Sequence, residues 1–61
     1  MIRMMGLVSA PNYHDTVVSA IETIEQLIEH YGDKISNVKV YWKPFNLDGE
    51  YHIKIYYDWE V

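Results

Sequence analysis

The sequence feature that most constrains the fold is an alternation of side-chain types in residues 51–61. Every odd-numbered residue there is apolar, and every even-numbered residue except Tyr56 is polar. Successive side chains of a β-strand point to opposite faces, so the alternation predicts a strand with one face in a core and one face outward. A helix would spread the same aromatic side chains around its circumference. We therefore expect this segment to be the central strand of a sheet.

The length of the chain limits how such a sheet can be stabilised. Its 61 residues predict a single domain, residues 1–61, which is marginally stable alone because it buries a small fraction of its surface. The absence of cysteine excludes disulfides and zinc–thiolate sites. Hydrophobic residues still make up 49% of the chain, more than one helix on one sheet can cover. We therefore expect a homo-oligomer.

Composition also bears on partners and location. No apolar run approaches the length of a membrane span, and the start of the chain lacks the apolar stretch and cleavage site of a signal peptide. We therefore expect a soluble, cytoplasmic protein with no membrane partner. The net charge of −4 argues against nucleic acid as a partner.

Two elements are predicted before the hairpin. Residues 2–9 read as a strand that is apolar on both faces, which suggests cover by another subunit. A helix is predicted over Tyr13–Tyr31, with Asn12 as its N-cap, Asp15 reaching back to that cap, and Gly32 as a left-handed end. Its predicted core stripe consists of Tyr13, Val17, Ala20, Ile21, Ile24, Leu27, Ile28 and Tyr31.

A hairpin is predicted around Asp48 and Gly49, a strong turn signal that follows a strand over residues 35–45. Pro44 cannot donate to a ladder, so this strand should lie at an edge. Matching the apolar faces pairs Val38 with Trp59, Val40 with Tyr57, and Trp42 with Ile55. The predicted fold class is α+β, a β-α-β-β chain whose three-stranded antiparallel sheet has the order 1-3-2, with the helix on one face.

A candidate ligand site lies on the face of the sheet away from the helix. The predicted register places Tyr41 opposite Tyr56 as a flat aromatic platform, and Lys43 opposite Lys54, with His52 on the same face. Like charges directly across strands repel, and a bound anion such as phosphate would relieve that repulsion. The alternative is that the lysines extend into water and the tyrosines seal a subunit interface.

A candidate partner-binding ridge lies on one flank of the helix. It consists of Asp15, Val18, Glu22, Glu25 and Glu29. Neighbouring carboxylates at helical spacing repel one another, which a basic partner surface would offset. The alternative is an ordinary solvated face.

Catalytic and metal-binding patterns are not found. Ser9, Ser19 and Ser36 have no evident base partner, and the three histidines share no face. We therefore expect neither an enzyme nor a metal site.

Three segments resemble the dodecins, small β-α-β-β proteins that form hollow dodecamers and bind flavins. Asn12 and Tyr13 resemble their Ser-Trp at the helix start, and residues 20–23 resemble their Ala-Val-Glu-Thr run at the same distance from it. Residues 51–55, followed by Asp58 and Trp59, are similar to their closing strand. The resemblance implies the fold and a symmetric homo-oligomer. The flavin-stacking Trp of the family falls near Asn37 or Asp33 here, so flavin binding is not carried over.

Two functional hypotheses follow. The first is a dodecin-like binding or storage protein for a planar ligand that can carry a phosphate, of the flavin or coenzyme A type. The second is a protein-interaction module or small inhibitor that uses its acidic helix ridge without any small ligand.

Overall fold

The architecture follows the predicted order of elements. The computed structural model describes residues 1–61, which form β1 (Ile2–Ala10), α1 (Tyr13–Tyr31), β2 (Ile35–Leu47) and β3 (Glu50–Trp59). β3 lies between β1 and β2 and is antiparallel to both. The predicted α+β class, the strand order 1-3-2 and the edge position of β2 are confirmed. No helix in the structure has both the length and the apolar character that crossing a bilayer requires.

The core is built on the inner face of β3, as the alternation predicts. Ile53 and Ile55 are 0% and 1% exposed and pack with the fully buried Ala20 of α1. The small side chain of Ala20 lets the helix approach the sheet closely. The partly buried side chains around this centre are Val8, Val17, Ile24, Val40 and Tyr57. These few residues make up the packed centre, so the core is small.

The start of α1 is capped by side chains. The Asn12 Oδ1 accepts a hydrogen bond from the Asp15 backbone N–H at 2.9 Å, and the Asn12 Nδ2 donates to the Asp15 carboxylate at 2.9 Å. The buried Thr16 hydroxyl donates to the Asn12 carbonyl at 2.6 Å. The first of these bonds satisfies a backbone N–H that a helix start leaves unpaired, and it confirms Asn12 as the N-cap.

The end of α1 differs from the prediction. Gly32 has φ −57° and ψ −28°, so the predicted left-handed end is wrong. The chain instead continues in a right-handed turn, in which the Lys34 N–H donates to the Tyr31 carbonyl at 2.8 Å. A Cβ at position 32 would lie 2.5 Å from the Ile28 carbonyl oxygen. Glycine is therefore needed here because of a close backbone approach.

Four residues of the predicted helix stripe do not reach the core. Tyr13 and Tyr31, at the two ends of the stripe, are exposed, so their predicted burial is wrong. Ile21 and Ile28 are exposed, so their predicted burial is wrong. At 3.6 residues per turn both lie about 80–100° around the helix from Ala20. A sheet of three strands is too narrow to cover so wide an arc, and the contact is confined to residues nearer Ala20.

The hairpin turn is the predicted one. Asp48 and Gly49 form a two-residue loop with φ of 54° and 82°, and Leu47 pairs with Glu50. Positive φ at both central residues is the type I′ geometry, which matches the twist of the flanking strands. Glycine adopts this conformation without the steric cost of a Cβ.

The predicted register of β2 is wrong beyond the turn. Val40 pairs with Ile55 and Ile35 with Trp59, because β2 contains two irregularities, one between Tyr41 and Phe45 and one between Ser36 and Lys39. In the first, three residues that include Pro44 face a single residue of β3. In the second, Asn37 adopts a positive φ of 51°. Each bulge adds residues to β2 only and so shifts every later pair.

The bulges also change the surroundings of two predicted core residues. Trp42 lies within the first bulge and is 47% exposed, and Val38 lies within the second and is exposed too. Their predicted burial against the helix is wrong. A bulge interrupts the ladder and re-aims side chains, so these residues sit outside the packed centre.

Candidate functional site

The pairing between strands decides which side chains share the outer face of the sheet. Leu7 and Tyr41 both lie opposite Lys54, and Met5 and Lys39 both lie opposite Tyr56. Directly paired residues of antiparallel strands project to the same face. The even-numbered residues of β3 therefore face away from the helix, as predicted.

A shallow cavity of about 360 Å³ lies on this outer face. It is lined by Tyr41, Lys43, Phe45, Lys54 and Tyr56. Four of these five residues belong to the predicted ligand set, and the structure brings them together. Phe45 was missed, although its odd number in β2 already indicated the outer face. Aromatic walls and two cations in one recess suit a planar anion.

The aromatic pair is not the predicted platform. The Tyr41 and Tyr56 rings are edge to face, with centroids 5.4 Å apart and an interplanar angle of 88°. The predicted direct pairing is wrong because the first bulge shifts Tyr41 by two residues, to a position opposite Lys54. The two tyrosines are now diagonal neighbours. Their rings form a corner at the wall of the cavity.

The two lysines are not directly opposite each other either. Lys43 lies within the first bulge, so its predicted pairing with Lys54 is wrong. Both side chains nevertheless line the same cavity, and the Lys54 Nζ lies 5.4 Å from the centroid of the Phe45 ring. Neither lysine forms an ion pair, and no carboxylate lines the cavity. The positive charge of the site is therefore not neutralised within the chain.

His52 lies beneath the site. It is 9% exposed and stacks on Phe45, with ring centroids 5.2 Å apart and an interplanar angle of 27°. Its Nδ1 lies 2.7 Å from the Ser9 Oγ, while its Nε2 is buried without a hydrogen-bond partner. The expectation that Ser9 has no base partner is thus wrong. No acidic residue orients this histidine, as one does in hydrolytic triads, and its position supports the Phe45 ring.

A polar cluster closes the other end of the outer face. The Arg3 Nη1 lies 3.1 Å from the Asp58 Oδ1, and the Asn37 Nδ2 donates to the Asp58 Oδ2 at 2.8 Å. These hydrogen bonds, from Asn37 first and then Arg3, lower the pKa of Asp58. The Arg3 guanidinium also lies 5.6 Å from the centroid of the Tyr56 ring. The cluster holds Arg3 against Tyr56, and the Asp58 carboxylate neutralises the charge of Arg3. Lys43 and Lys54 therefore remain as the cations of the cavity.

The acidic ridge lies where the sequence predicts it. Asp15, Val18, Glu22, Glu25 and Glu29 are all exposed on α1. Asp15 is engaged in the N-cap, whereas the three glutamates form no ion pair within the chain. No three histidine, aspartate or glutamate side chains converge as a metal-binding group.

Comparison with protein-family models gave no match to this chain. A search of curated protein sequences and a search of solved structures gave no match either. The element order and the sheet order are compatible with the dodecin resemblance. The geometry of the outer face is therefore the basis for assigning a function to this chain.

Proposed function

We propose that this chain is a small, non-enzymatic, homo-oligomeric protein of the cytoplasm that binds or stores a planar, phosphate-bearing ligand of the flavin or coenzyme A type. The observation that carries the proposal is the outer-face cavity, where three aromatic rings and two unneutralised lysines meet. The dodecin-like arrangement of elements fits the same proposal. The ligand would be held by residues other than those the dodecins use.

The shape of the cavity supports a planar ligand. Its volume of about 360 Å³ is at the lower end of the range for small-molecule sites, which is roughly 300–1,000 Å³. Tyr41 and Tyr56 meet edge to face, so a flat ring can stack on one while contacting the edge of the other. Phe45 is held in place from below by His52. The aromatic walls are therefore partly organised before a ligand arrives.

The charge of the cavity supports an anionic group on that ligand. Lys43 and Lys54 both reach the cavity, and neither has a carboxylate partner. A phosphate between them would accept charge-assisted hydrogen bonds from both ammonium groups. It would also reduce their mutual repulsion. A neutral planar molecule would gain only the stacking part of this interaction.

The proposal is tested by titrating the protein with FMN and with riboflavin, which differ only in the phosphate. We expect FMN to bind at least about tenfold more tightly, equivalent to about 1.4 kcal/mol. The difference should shrink in high salt because the lysines are near the surface. Flavin fluorescence and anisotropy report both affinities. Coenzyme A and ADP, measured calorimetrically, extend the series to another planar ring.

Two results would contradict the proposal. One is the absence of saturable binding for FMN, coenzyme A and ADP alike. The other is equal affinity for FMN and riboflavin, which would mean that the lysines do not bind the phosphate.

A second candidate function is docking of the acidic ridge on a basic protein surface. The supporting observation is that Glu22, Glu25 and Glu29 form no ion pair within the chain. Reversing Glu25 and Glu29 to lysine should then abolish recovery of a basic partner in a pull-down. Reversing Asp33 and Glu60, outside the ridge, serves as the control. Unchanged recovery with the ridge variant would reject this candidate.

A further inference from the structure

The two edges of the sheet differ in how they are protected. β2 carries two bulges, Pro44, and the charged side chains of Lys39 and Lys43, features that discourage pairing with another strand. β1 has neither a bulge nor a proline: its nine residues pair with β3 without a register shift. Its other edge presents unpaired backbone groups. A long, flat, unprotected edge strand is a ready template for another strand.

The side chains of β1 add to this exposure. Met5 and Leu7 are 56% and 51% exposed on the outer face, and Ile2 and Met4 are exposed on the inner face. Its one charged residue, Arg3, is already paired with Asp58. A partner strand would therefore gain apolar contact on both faces and meet no unneutralised charge.

We infer that β1 pairs antiparallel with β1 of a second copy of this chain across a two-fold axis, with Gly6 opposite Gly6. The result is a continuous six-stranded sheet with both helices on one face. This dimer specifies the homo-oligomer of the proposed function, and its argument does not use the ligand site.

The register follows from two conditions. Directly opposite residues must point to the same face, and the overlap should use the whole strand. Gly6 is the middle residue of Ile2–Ala10, so a two-fold axis at Gly6 pairs all nine positions. Met5 then lies opposite Leu7 of the second copy on the outer face. The two Arg3 side chains lie about 20 Å apart, since six residues of strand separate them.

Gly6 is itself consistent with this axis. A Cβ at position 6 would meet no heavy atom within 4 Å, so packing within one chain does not require glycine. Glycine inside a strand weakens it, and often marks a place where another backbone approaches closely. A second β1 at the two-fold axis provides such an approach.

The inner face offers an apolar groove that the same register covers. The groove of about 530 Å³ is lined only by Ile2, Met4, Leu27, Tyr31, Tyr57 and Trp59. Antiparallel pairing brings the Val8 and Ala10 end of the second β1 beside Ile2 and Met4. The segment that enters the second helix then lies next to the groove. The dimer thus adds apolar burial where the core of one chain is small.

The protected β2 edge explains why this pairing should stop at two chains. Head-to-tail pairing of β1 with β2 would propagate into a filament, whereas pairing of β1 with itself is closed. The bulges and Pro44 on β2 oppose the first arrangement.

The inference is tested by single-cysteine crosslinking. Because the chain has no cysteine of its own, any disulfide must form through the introduced residue. In Gly6→Cys the introduced cysteines of the two copies face each other across the two-fold axis. Their Cα atoms are about 4.5–5.5 Å apart, within the range for a disulfide. Lys39→Cys on the β2 edge is the matched control. After mild oxidation without ligand, we expect at least about tenfold more covalent dimer from Gly6→Cys, because residues held together have millimolar effective concentration. Non-reducing electrophoresis gives the yield.

A charge-pair experiment tests the register independently. In Met5→Lys/Leu7→Glu each lysine faces a glutamate of the second copy, so sedimentation should give twice the chain mass of 7.3 kDa. In Met5→Lys/Leu7→Lys like charges meet, and the mass should fall to that of one chain. With a register centred on Met5 or Leu7, each of these variants would place two like charges directly opposite each other. Met5→Lys/Leu7→Glu would then also give the mass of one chain, which overturns the inference.

The other possible outcomes of these experiments also support or overturn the inference. Equal crosslinking of Gly6→Cys and Lys39→Cys, or a wild-type chain that stays monomeric at millimolar concentration, overturns the inference. A larger assembly that still forms the covalent dimer in Gly6→Cys supports the inference. A larger assembly that does not form this covalent dimer overturns the inference. FMN titration of the same samples is a separate readout, so failure of the dimer and failure of the ligand proposal are distinguishable.

Discussion

Replacement of Ile53 by alanine is expected to unfold most of the protein at 25 °C. The Ile53 side chain is fully buried between the helix and the sheet, beside Ala20 and Ile55. Removing such a side chain from a core costs roughly 2–5 kcal/mol, because apolar contact is lost and a cavity remains. A single core in a domain of this size supplies only about 3–5 kcal/mol in total. The loss is therefore comparable to the whole free energy of unfolding.

The matched control is Ile28→Ala, the same chemical change on an exposed part of α1. Ile28 is 56% exposed and outside the core, and alanine is a better helix former than isoleucine. Its effect should stay within about 0.5 kcal/mol. Urea denaturation followed by far-UV circular dichroism, at one fixed protein concentration, compares the variants. A wild-type midpoint for Ile53→Ala would contradict the described core.

Much of the fold was predictable because it depends on local periodicity. The alternation over residues 51–61 indicated which face of β3 is buried, and Ile53 and Ile55 are buried accordingly. The start of α1 followed from the Asn12 cap, and its end at Tyr31 was predicted correctly from Gly32, although that glycine is not left-handed. Asp48 and Gly49 specified a two-residue turn through their tolerance of positive φ.

The bulges of β2 were not predictable in the same way. The predicted register holds beside the turn, where Phe45 lies opposite His52, and fails once Tyr41 is reached. The first bulge leaves the apolar pattern intact, since a shift of two keeps every side chain on its face. The second bulge shifts the pairing by one further residue and reverses the faces only of the first residues of β2. Pro44 and Asn37 mark the irregular places only in retrospect.

In the candidate site, the face of each side chain could be predicted from the sequence, whereas the contacts between side chains could not. Which face each lysine and tyrosine occupies depends on parity, and four of the five lining residues were identified from it. Which residues touch depends on register, so the predicted Tyr41–Tyr56 and Lys43–Lys54 pairs were wrong. The burial of His52 under Phe45 depends on packing across strands, for which one chain's sequence carries no periodic signal.

Reversal of the charge at Lys54 is expected to weaken FMN binding about 100-fold and to leave riboflavin binding within about threefold, since the change alters the interaction with phosphate by two unit charges. Lys54 lies on the central strand and lines the cavity next to Phe45 and Tyr41. Its replacement, Lys54→Glu, removes an attraction and adds a repulsion at one place. Stacking on the aromatic rings is retained.

The control for this prediction is Lys39→Glu, which makes the same charge change on the same face. Lys39 lies opposite Tyr56 but does not line the cavity. Salt screens charges that are farther from the ligand, so at about 0.15 M salt its effect on FMN affinity should be several-fold smaller. Equal losses for the two variants would mean that FMN responds to net charge and not to this cavity. An unchanged FMN affinity in Lys54→Glu would place the phosphate elsewhere.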